Sequence, residues 1–266
     1  MGNLGAFEKP QKLIDRAIRA RAEAEDAFQS FIRAENFATV IESEGETGYF
    51  VRKVVVANFA PDIIEERITD AINNTKNSFD QSLFAACDAI SKPRGDGHFP
   101  WVDGEHLLQR KLERGKAGKE AIPSELWDVL RTQQPYPRND LDQRGDTIVR
   151  TMARLANNKH TIGTAIGCNV ASWALGSIRP GIGHNDFKVL RPQWDPVKNE
   201  IVLARWRGAT PKFEHEATFT FQVTFDLPVP HELREMCAFG LTGAFIQAAQ
   251  SAPDGLKARA VELGSV

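Results

Sequence analysis

The residue types best suited to catalysis cluster at the end of one predicted helix. Arg154 is followed by the amides Asn157 and Asn158, and then by Lys159 and His160. An imidazole can take the proton of a ribose 2′-hydroxyl, and a guanidinium can stabilise the charge that develops on a phosphorane. The same residues suit a helix C-terminus, because Asn accepts left-handed backbone geometry and cations oppose the helix dipole. We favour this helix-cap interpretation, and the residues alone leave both open.

A carboxylate on another predicted helix is the natural partner for these groups. Asp80 lies one residue from the apolar stripe of that helix, and it shares a face with Lys76 and Asn77. It could orient His160 as a general base, or it could stabilise the fold by pairing with Lys159 or an arginine. The candidate catalytic residues are therefore His160, Arg154 and Asp80.

Candidate binding residues surround this set. They are Asn77, Tyr136, Asn157, Asn158 and Lys159. The hydroxyl of Tyr136 follows a proline break, and the interpretation we prefer for it is an inward, structural hydrogen bond. The chain has no P-loop, no pair of histidines at i, i+3 or i+4, and no CxxC pair among its three cysteines. We therefore predict no metal site and no cofactor.

The composition excludes several classes of protein. The 266 residues include 33 Lys and Arg against 35 Asp and Glu, which gives a net charge of −2. A balanced chain is neither a histone-like coat nor a disordered polyelectrolyte. No apolar run is long enough to span a membrane, and no signal peptide is visible, so we expect a cytoplasmic protein with no membrane partner.

Hydrophobic periodicity predicts the elements that would position the candidate residues. Helices are predicted over 8–35, 61–90, 103–116, 123–133 and 142–158, and a last helix starts at Pro230 and frays after Pro253. Strands are predicted at 37–43 and 49–57, as a hairpin, and at 187–190, 200–206 and 217–225. The weakly charged stretch 161–178 is predicted to be either a packed helix or a buried loop.

This order of elements predicts an α+β fold, because parallel βαβ alternation is absent. An N-terminal helical bundle with a β-hairpin insertion would pack on a C-terminal antiparallel sheet and a final helix. The early hairpin and the late strands could pair into one sheet. We expect a single domain over 1–266, mainly helical over 8–180 with the hairpin at 37–57, and a β-meander plus C-terminal helix over 185–252.

Four stretches carry a resemblance to a known set of proteins. They are NNTKNSFDQSLFAACDAI (73–90), HFPW (98–101), IPSELWDVLRTQQPY (122–136) and MARLANNKHTIG (152–163). They resemble a broad set of uncharacterised bacterial and phage proteins with an Asp-bearing helix, Phe-Pro and Gln-Pro-Tyr steps, and a helix ending in Lys-His. This chain departs from that pattern at Gln81, Asn158 and Thr161, where the set has His, Asp and Arg. The resemblance implies the fold rather than an activity.

A more distant resemblance is to HEPN helical domains, which are often metal-independent ribonucleases with an Arg-x4–6-His motif. Arg154 and His160 are separated by five residues and fit that spacing. On a straight helix they would point about 120° apart. They would converge if the helix ended near Asn157, or if two subunits pooled their residues. Leu155 stands where the motif usually has a polar residue.

Two functional hypotheses follow from these observations. The first, which we prefer, is a non-catalytic binding or assembly module of bacterial or phage origin, acting as a homodimer or with a protein partner. The alternative is a HEPN-like metal-independent ribonuclease or nucleotide-acting enzyme that uses His160 and Arg154. Only this alternative implies RNA or a nucleotide as partner. At a net charge of −2, any phosphate site must be local.

Overall fold

A computed structural model of the chain describes most of its residues. The described ranges are 4–34, 36–57, 61–93, 98–114, 122–139, 143–158, 166–174, 178–179, 186–195, 197–213, 218–225, 229–234 and 236–264. The α-helices are α1 (Glu8–Arg33), α2 (Pro61–Ala89), α3 (Glu105–Arg114), α4 (Trp127–Thr132), α5 (Thr147–Asn158), α6 (His231–Arg234) and α7 (Ala238–Gly264). The strands are β1 (Phe37–Ser43), β2 (Tyr49–Val56), β3 (Ile166–Ala174), β4 (Ile178–Arg179), β5 (Lys188–Val189), β6 (Trp194–Asp195), β7 (Glu200–Arg207), β8 (Lys212–Phe213) and β9 (Thr218–Phe225). The fold is α+β, as predicted.

Three long helices form the bundle, with α2 packed between α1 and α7. The apolar stripe predicted for α2 is confirmed, since Ile64, Ile68, Phe79 and Leu83 are almost fully buried. Arg67 near the start of α2 pairs with Glu23 in the second half of α1 at 2.9 Å, so the two helices run antiparallel. The first turns of α1 therefore lie beside the second half of α2.

An aromatic cluster joins α2, α7 and the segment before α3. The ring of Phe79 is 4.9 Å from that of Phe99, 5.0 Å from that of Trp101 and 5.8 Å from that of Phe245, measured between centroids. Edge-on and offset contacts of this kind add to the free energy that burial of the rings provides. The cluster holds residues 98–101 against the bundle.

The early hairpin and the late strands pair into one antiparallel sheet. Its order is β1-β2-β7-β5, with β6 also on β7. Lys53 on β2 lies between Glu200 of β7, at 2.5 Å, and Glu42 of β1. The hydrogen bonds that Lys53 donates to the two carboxylates raise its pKa against the opposing effect of burial. The ion pairs therefore link three neighbouring strands.

The prediction for 161–178, a helix or a buried loop, is wrong over 166–174. These residues form strand β3, which pairs antiparallel with β9 in a separate two-stranded sheet. Val170 lies opposite Phe221 and Trp173 opposite Phe219. A short apolar run has no period that separates helix from strand, so the partner strand decides its structure. The early hairpin and all late strands were predicted to pair into one sheet. This prediction is wrong for β9, because β9 pairs with β3 instead.

The last helix also differs from its prediction. It is divided into α6 and α7, and α7 continues through Pro253 to Gly264 instead of fraying. A proline removes one backbone hydrogen bond from a helix. Here Pro253, Leu256 and Ala260 are buried, and Arg259 donates to the Glu125 carbonyl at 3.0 Å. Burial of the apolar face outweighs the lost hydrogen bond.

Two other boundaries are set by local contacts. The helix predicted over 142–158 begins at Thr147, because the carboxylate of Asp146 accepts the Val149 N–H at 2.9 Å and caps the helix. The helix predicted over 123–133 starts as a 3₁₀ turn, Ser124–Leu126, before α4. Among the described helices, none has the length and apolar character that crossing a membrane requires.

Candidate functional site

The predicted catalytic arginine lies in an ion-pair cluster. Arg154 Nη2 donates to Asp103 Oδ1 at 2.6 Å, and Arg150 Nε donates to the same oxygen at 3.0 Å. Burial raises the pKa of Asp103, but hydrogen bonds and positive charges from Arg150 and Arg154 outweigh it and leave the pKa lowered. The side chain of Arg154 is 53% exposed, whereas that of Arg150 is 11% exposed. Arg154 therefore has a carboxylate partner on the segment before α3.

The rest of the predicted Lys-His motif falls largely beyond the described part of the chain. Lys159 and His160 lie outside the described residues, and so does Thr161. Asn157 is exposed on the last turn of α5. Asn158 ends α5, but its side chain is also outside the described set. The helix-cap and phosphoryl-transfer interpretations of 157–160 both stay predictions.

Asp80 is a buried carboxylate with three described partners. Its Oδ1 accepts the Phe99 N–H at 2.8 Å, and its Oδ2 lies 3.0 Å from Lys76 Nζ. The Nδ1 of His98 is 3.5 Å from the same Oδ2. Buried polar groups need such partners, because an unsatisfied donor or acceptor costs the full desolvation free energy. Among the described residues, the imidazole beside Asp80 belongs to His98, a histidine that the sequence argument did not select.

One short segment, His98–Gly104, connects the two carboxylates. Asp80 holds its first end through Phe99, and Asp103 at its other end holds Arg150 and Arg154. Between them, the Val102 N–H donates to the Pro135 carbonyl at 3.2 Å. The Phe-Pro and Gln-Pro-Tyr steps of the sequence therefore meet in space.

Tyr136 lies at this junction and is buried, with 3% of its surface exposed. Its burial fits an inward, structural side chain better than a ligand-binding one. Gly145 packs against it so closely that a Cβ atom there would be 2.5 Å from the Tyr136 carbonyl oxygen. The structure therefore places Tyr136 among the buried residues of the core.

An open cleft lies between the first turns of α1 and the second half of α2. We call it the α1–α2 cleft. One cavity of about 520 Å³ is lined by Lys9, Lys12, Leu13, Arg16, Asn77, Asp80, Gln81, Phe84 and His98. An adjoining cavity of about 470 Å³ shares Lys9, Lys12, Gln81 and Phe84 with it. Cavities of a few hundred Å³ accommodate small-molecule ligands.

Helix periodicity explains the two walls of the α1–α2 cleft. Lys9, Lys12 and Arg16 stand at i, i+3 and i+7, which places them within about 60° of one another on α1. Asn77, Gln81 and Phe84 recur at i, i+4 and i+7 on α2 and share a face in the same way. One wall is therefore cationic, and the other carries two amides and an aromatic ring.

The cations of this wall are only weakly compensated. Lys12 pairs with Glu8 at 3.5 Å, and both of these side chains are at least 70% exposed, so the pair contributes little. Within the described ranges, no carboxylate lies at ion-pair distance from Lys9 or Arg16. The one carboxylate that lines the 520 Å³ cavity, Asp80, is paired with Lys76. The 520 Å³ cavity therefore has a surplus of positive charge, whereas the lining of the adjoining cavity also includes the carboxylates of Glu8 and Asp88.

The sequence argument selected Asp80 and Asn77, which do line this cleft, but it missed Lys9, Lys12, Arg16 and His98. The missed signal was a stripe of cations at i, i+3 and i+7, adjacent to the apolar stripe of a helix predicted correctly. Cations on an amphipathic helix usually lie on its solvated face, so the pattern by itself did not distinguish a cleft from a surface.

No family model, curated protein or solved structure matches this chain. The function must therefore be argued from the geometry of the site itself.

Other chemistry is less well supported by the described residues. Burial raises the pKa of Cys168 to about 12, which keeps its thiol protonated and unreactive. Across the described ranges, no three His, Cys, Asp or Glu side chains are grouped so that they could hold a metal ion. The α1–α2 cleft is accordingly the site on which the functional argument depends.

Proposed function

We propose that this protein is a binding protein that takes an anionic small molecule into the α1–α2 cleft. The observation that carries the proposal is the stripe Lys9, Lys12 and Arg16 along one wall of an open cavity, with two of the three cations unpaired among the described residues. Charges of one sign that line a concave surface raise the local concentration of ligands of the opposite sign.

Binding without catalysis fits the arrangement of the opposite wall. Asp80, the one buried carboxylate there, already accepts the Phe99 N–H and pairs with Lys76. A general base needs a pair of electrons directed at substrate, whereas this carboxylate is used to hold the fold. The amides of Asn77 and Gln81 can position a ligand but cannot transfer its protons.

Titration calorimetry with inorganic pyrophosphate tests the proposal. The double variant Lys9→Gln/Arg16→Gln should weaken binding about tenfold or more, because it removes two charges from one wall. Lys257→Gln on α7 is the control: it removes one positive charge from an exposed residue that does not line the cleft. Its affinity should stay within about twofold, since salt screens distant charges.

Two results would contradict the proposal. The first is the absence of any pyrophosphate binding at low ionic strength. The second is an equal loss of affinity in Lys257→Gln and in the double variant, which would mean that the anion binds anywhere on the surface. Circular dichroism of each variant verifies that the helices remain folded.

The resemblance to bacterial and phage proteins supports, as part of this proposal, a bacterial or phage origin and a cytoplasmic location. An assembly role would add a second copy of the chain or a protein partner to the small ligand. Light scattering that gives a strict monomer, together with a pull-down that recovers no protein, would contradict the assembly role and leave the binding proposal in place.

The HEPN-like ribonuclease stays a separate hypothesis. Arg154 is paired with Asp103, and His160 lies outside the described residues, so the described geometry adds no support. If the hypothesis holds, purified protein cleaves RNA and His160→Ala abolishes cleavage. If cleavage is absent, or if His160→Ala cleaves as fast as the parent protein, the hypothesis is wrong.

A further inference from the structure

We infer that the anion bound in the α1–α2 cleft is a nucleotide, held by its phosphates on α1 and by its nucleoside on α2. This inference rests on the proposed function and extends it, because the two walls of the cleft differ in chemistry. In the 520 Å³ cavity, the polar groups that α1 contributes are the three cations Lys9, Lys12 and Arg16. Beside the paired carboxylate of Asp80, α2 contributes two amides and an aromatic ring, which are not needed to bind a bare phosphate.

The aromatic ring is the first observation. Phe84 is half-buried, and it lines both of the adjoining cavities. Large apolar rings on α2 are otherwise buried in the core, as Phe79 is. An aromatic ring at the edge of a cationic groove is the arrangement on which nucleic-acid bases stack.

The amides are the second observation. Asn77 and Gln81 lie one turn apart on the same face of α2, and no hydrogen bond to either side chain occurs among the described residues. Each amide carries two donors and one acceptor. The edges of bases and the hydroxyls of ribose present a matching mixture of donors and acceptors. A bare anion needs donors alone, so the acceptors of these amides favour a nucleoside.

The size of the cleft agrees with one nucleotide. A cavity of about 520 Å³ that opens into another of about 470 Å³ holds a ring system, a sugar and two phosphates. His98 also lines the larger cavity, with its Nδ1 3.5 Å from Asp80 Oδ2. The same chemistry is present in a free nucleotide and in the end of an RNA strand, and the test must separate these sources.

The experiment compares ADP, inorganic pyrophosphate and a five-nucleotide RNA with a 5′-phosphate, each titrated into the full chain. We expect ADP to bind at least about fivefold more tightly than pyrophosphate, because base stacking adds to phosphate binding. Phe84→Leu keeps an apolar side chain but removes the ring. It should weaken the binding of ADP by a larger factor than the binding of pyrophosphate, and so erase most of the ADP advantage.

The outcomes separate the inference from the proposed function. If ADP and pyrophosphate bind equally, the nucleotide inference is wrong and the anion-binding proposal stands. If neither binds, both are wrong. If Phe84→Leu weakens both ligands equally, the ring does not contact a base and the inference fails. If the RNA binds more tightly than ADP, the source is a strand end rather than a free nucleotide, and the inference as stated is overturned.

A second variant protects the test against misfolding. Gln81→Ala changes one half-buried amide of the α2 wall and leaves the apolar core intact, so it serves if Phe84→Leu unfolds. It should weaken ADP more than pyrophosphate. If Gln81→Ala weakens the binding of ADP and of pyrophosphate equally, the amide does not contact a nucleoside and the inference fails.

Discussion

Two helices of this protein, α5 and α1, carry cationic side chains that have different surroundings. On α5, Arg150 and Arg154 both donate to one oxygen of Asp103. On α1, Lys9 and Arg16 face an open cleft and have no carboxylate partner among the described residues. The α5 cations hold a segment in place, whereas the α1 cations are available to a ligand. The position of the carboxylates, not of the cations, separates a structural cluster from a candidate binding site.

The α5 cations belong to a sequence motif that predicts chemistry, whereas the α1 cations belong to none. Arginine near histidine at the end of a helix is a pattern that ribonucleases use, and it made α5 the natural candidate. The structure gives Arg154 a carboxylate partner, whereas Lys9 and Arg16 on α1 have none among the described residues. Five substitutions test whether this contrast is real.

Asp80→Ala should have the largest effect, because Asp80 belongs to both the cleft wall and the anchored segment. It would leave the Phe99 N–H and the Lys76 ammonium, whose side chain is 13% exposed, without their partner. We expect a loss of about 3 kcal/mol in the free energy of unfolding, measured by urea denaturation. Asp26→Ala, at an exposed site on α1, should change it by less than about 0.5 kcal/mol. Similar losses in both would contradict the role given to Asp80.

Gly145→Ala tests the packing beside the α5 cluster. A Cβ atom at Gly145 would lie 2.5 Å from the Tyr136 carbonyl oxygen and 2.6 Å from that of Pro137. Both contacts involve backbone atoms, so we expect the free energy of unfolding to fall by about 2 kcal/mol. A thermal unfolding curve measures this loss. Gly240→Ala is the matched control, since a Cβ there meets nothing within 4 Å inside α7. It should leave stability unchanged or raise it by up to about 1 kcal/mol.

Arg150→Gln removes the better buried of the two cations that contact Asp103. The guanidinium donates to that carboxylate, and its side chain is 11% exposed. We expect a loss of about 1 to 2 kcal/mol in the free energy of unfolding, because charged hydrogen bonds in partly buried sites exceed the usual value. Arg154→Gln, at a 53% exposed side chain, should cost less. The reverse order would show that burial does not control this cluster.

The Asp103 carboxyl predicts a pH dependence with a definite sign. Its pKa in the folded protein is lowered, below the ordinary value of about 3.9. A lowered pKa contributes stability that is fully present above the unfolded value and is lost as the pH falls through the folded value. Stability measured from pH 6 to 2 should therefore fall less steeply in Asp103→Asn than in the parent protein. Superimposable profiles would exclude Asp103 from the acid transition.

Arg16→Gln should have the smallest effect on stability and a clear effect on binding. Its guanidinium has no carboxylate partner among the described residues, so its loss should change the free energy of unfolding by less than about 0.5 kcal/mol. Pyrophosphate affinity should nevertheless fall. If Arg16→Gln instead destabilises the protein as much as Arg150→Gln does, then the contrast between the two sets of cations disappears.

Much of the fold is encoded locally and was predicted. The α2 stripe from Ile64 to Leu83 and the hairpin of β1 and β2 follow from periods of 3.6 and 2. Strand β3 could not be predicted this way, because its apolar residues have no period of their own and pair with β9, about 50 residues later. The prediction that the last helix frays after Pro253 is wrong for a similar reason. Burial of one face of α7 in the tertiary structure outweighs the tendency of proline to end a helix.

The site was predictable only in part. Asp80 was predicted because a carboxylate beside an apolar stripe is unusual. Asn77 was predicted because it shares a helix face with Asp80. The sequence offered His160, Lys159 or an arginine as the partner of Asp80, and both His160 and Lys159 lie outside the described residues. Among the described residues the imidazole beside Asp80 is that of His98, which spacing did not indicate because tertiary contacts fix its position. Lys9 and Arg16 resemble ordinary solvated residues until the opposite helix is in place.

The segment His98–Gly104 has a consequence for the thermodynamics of binding. Its backbone is fixed by Asp80 at one end, by the Val102 hydrogen bond to Pro135 in the middle, and by the arginines on Asp103 at the other end. A loop that is ordered before the ligand arrives loses little conformational entropy when the ligand binds. The margin of the cleft around His98 is therefore preorganised, and calorimetry should show little entropic cost from this side of the site.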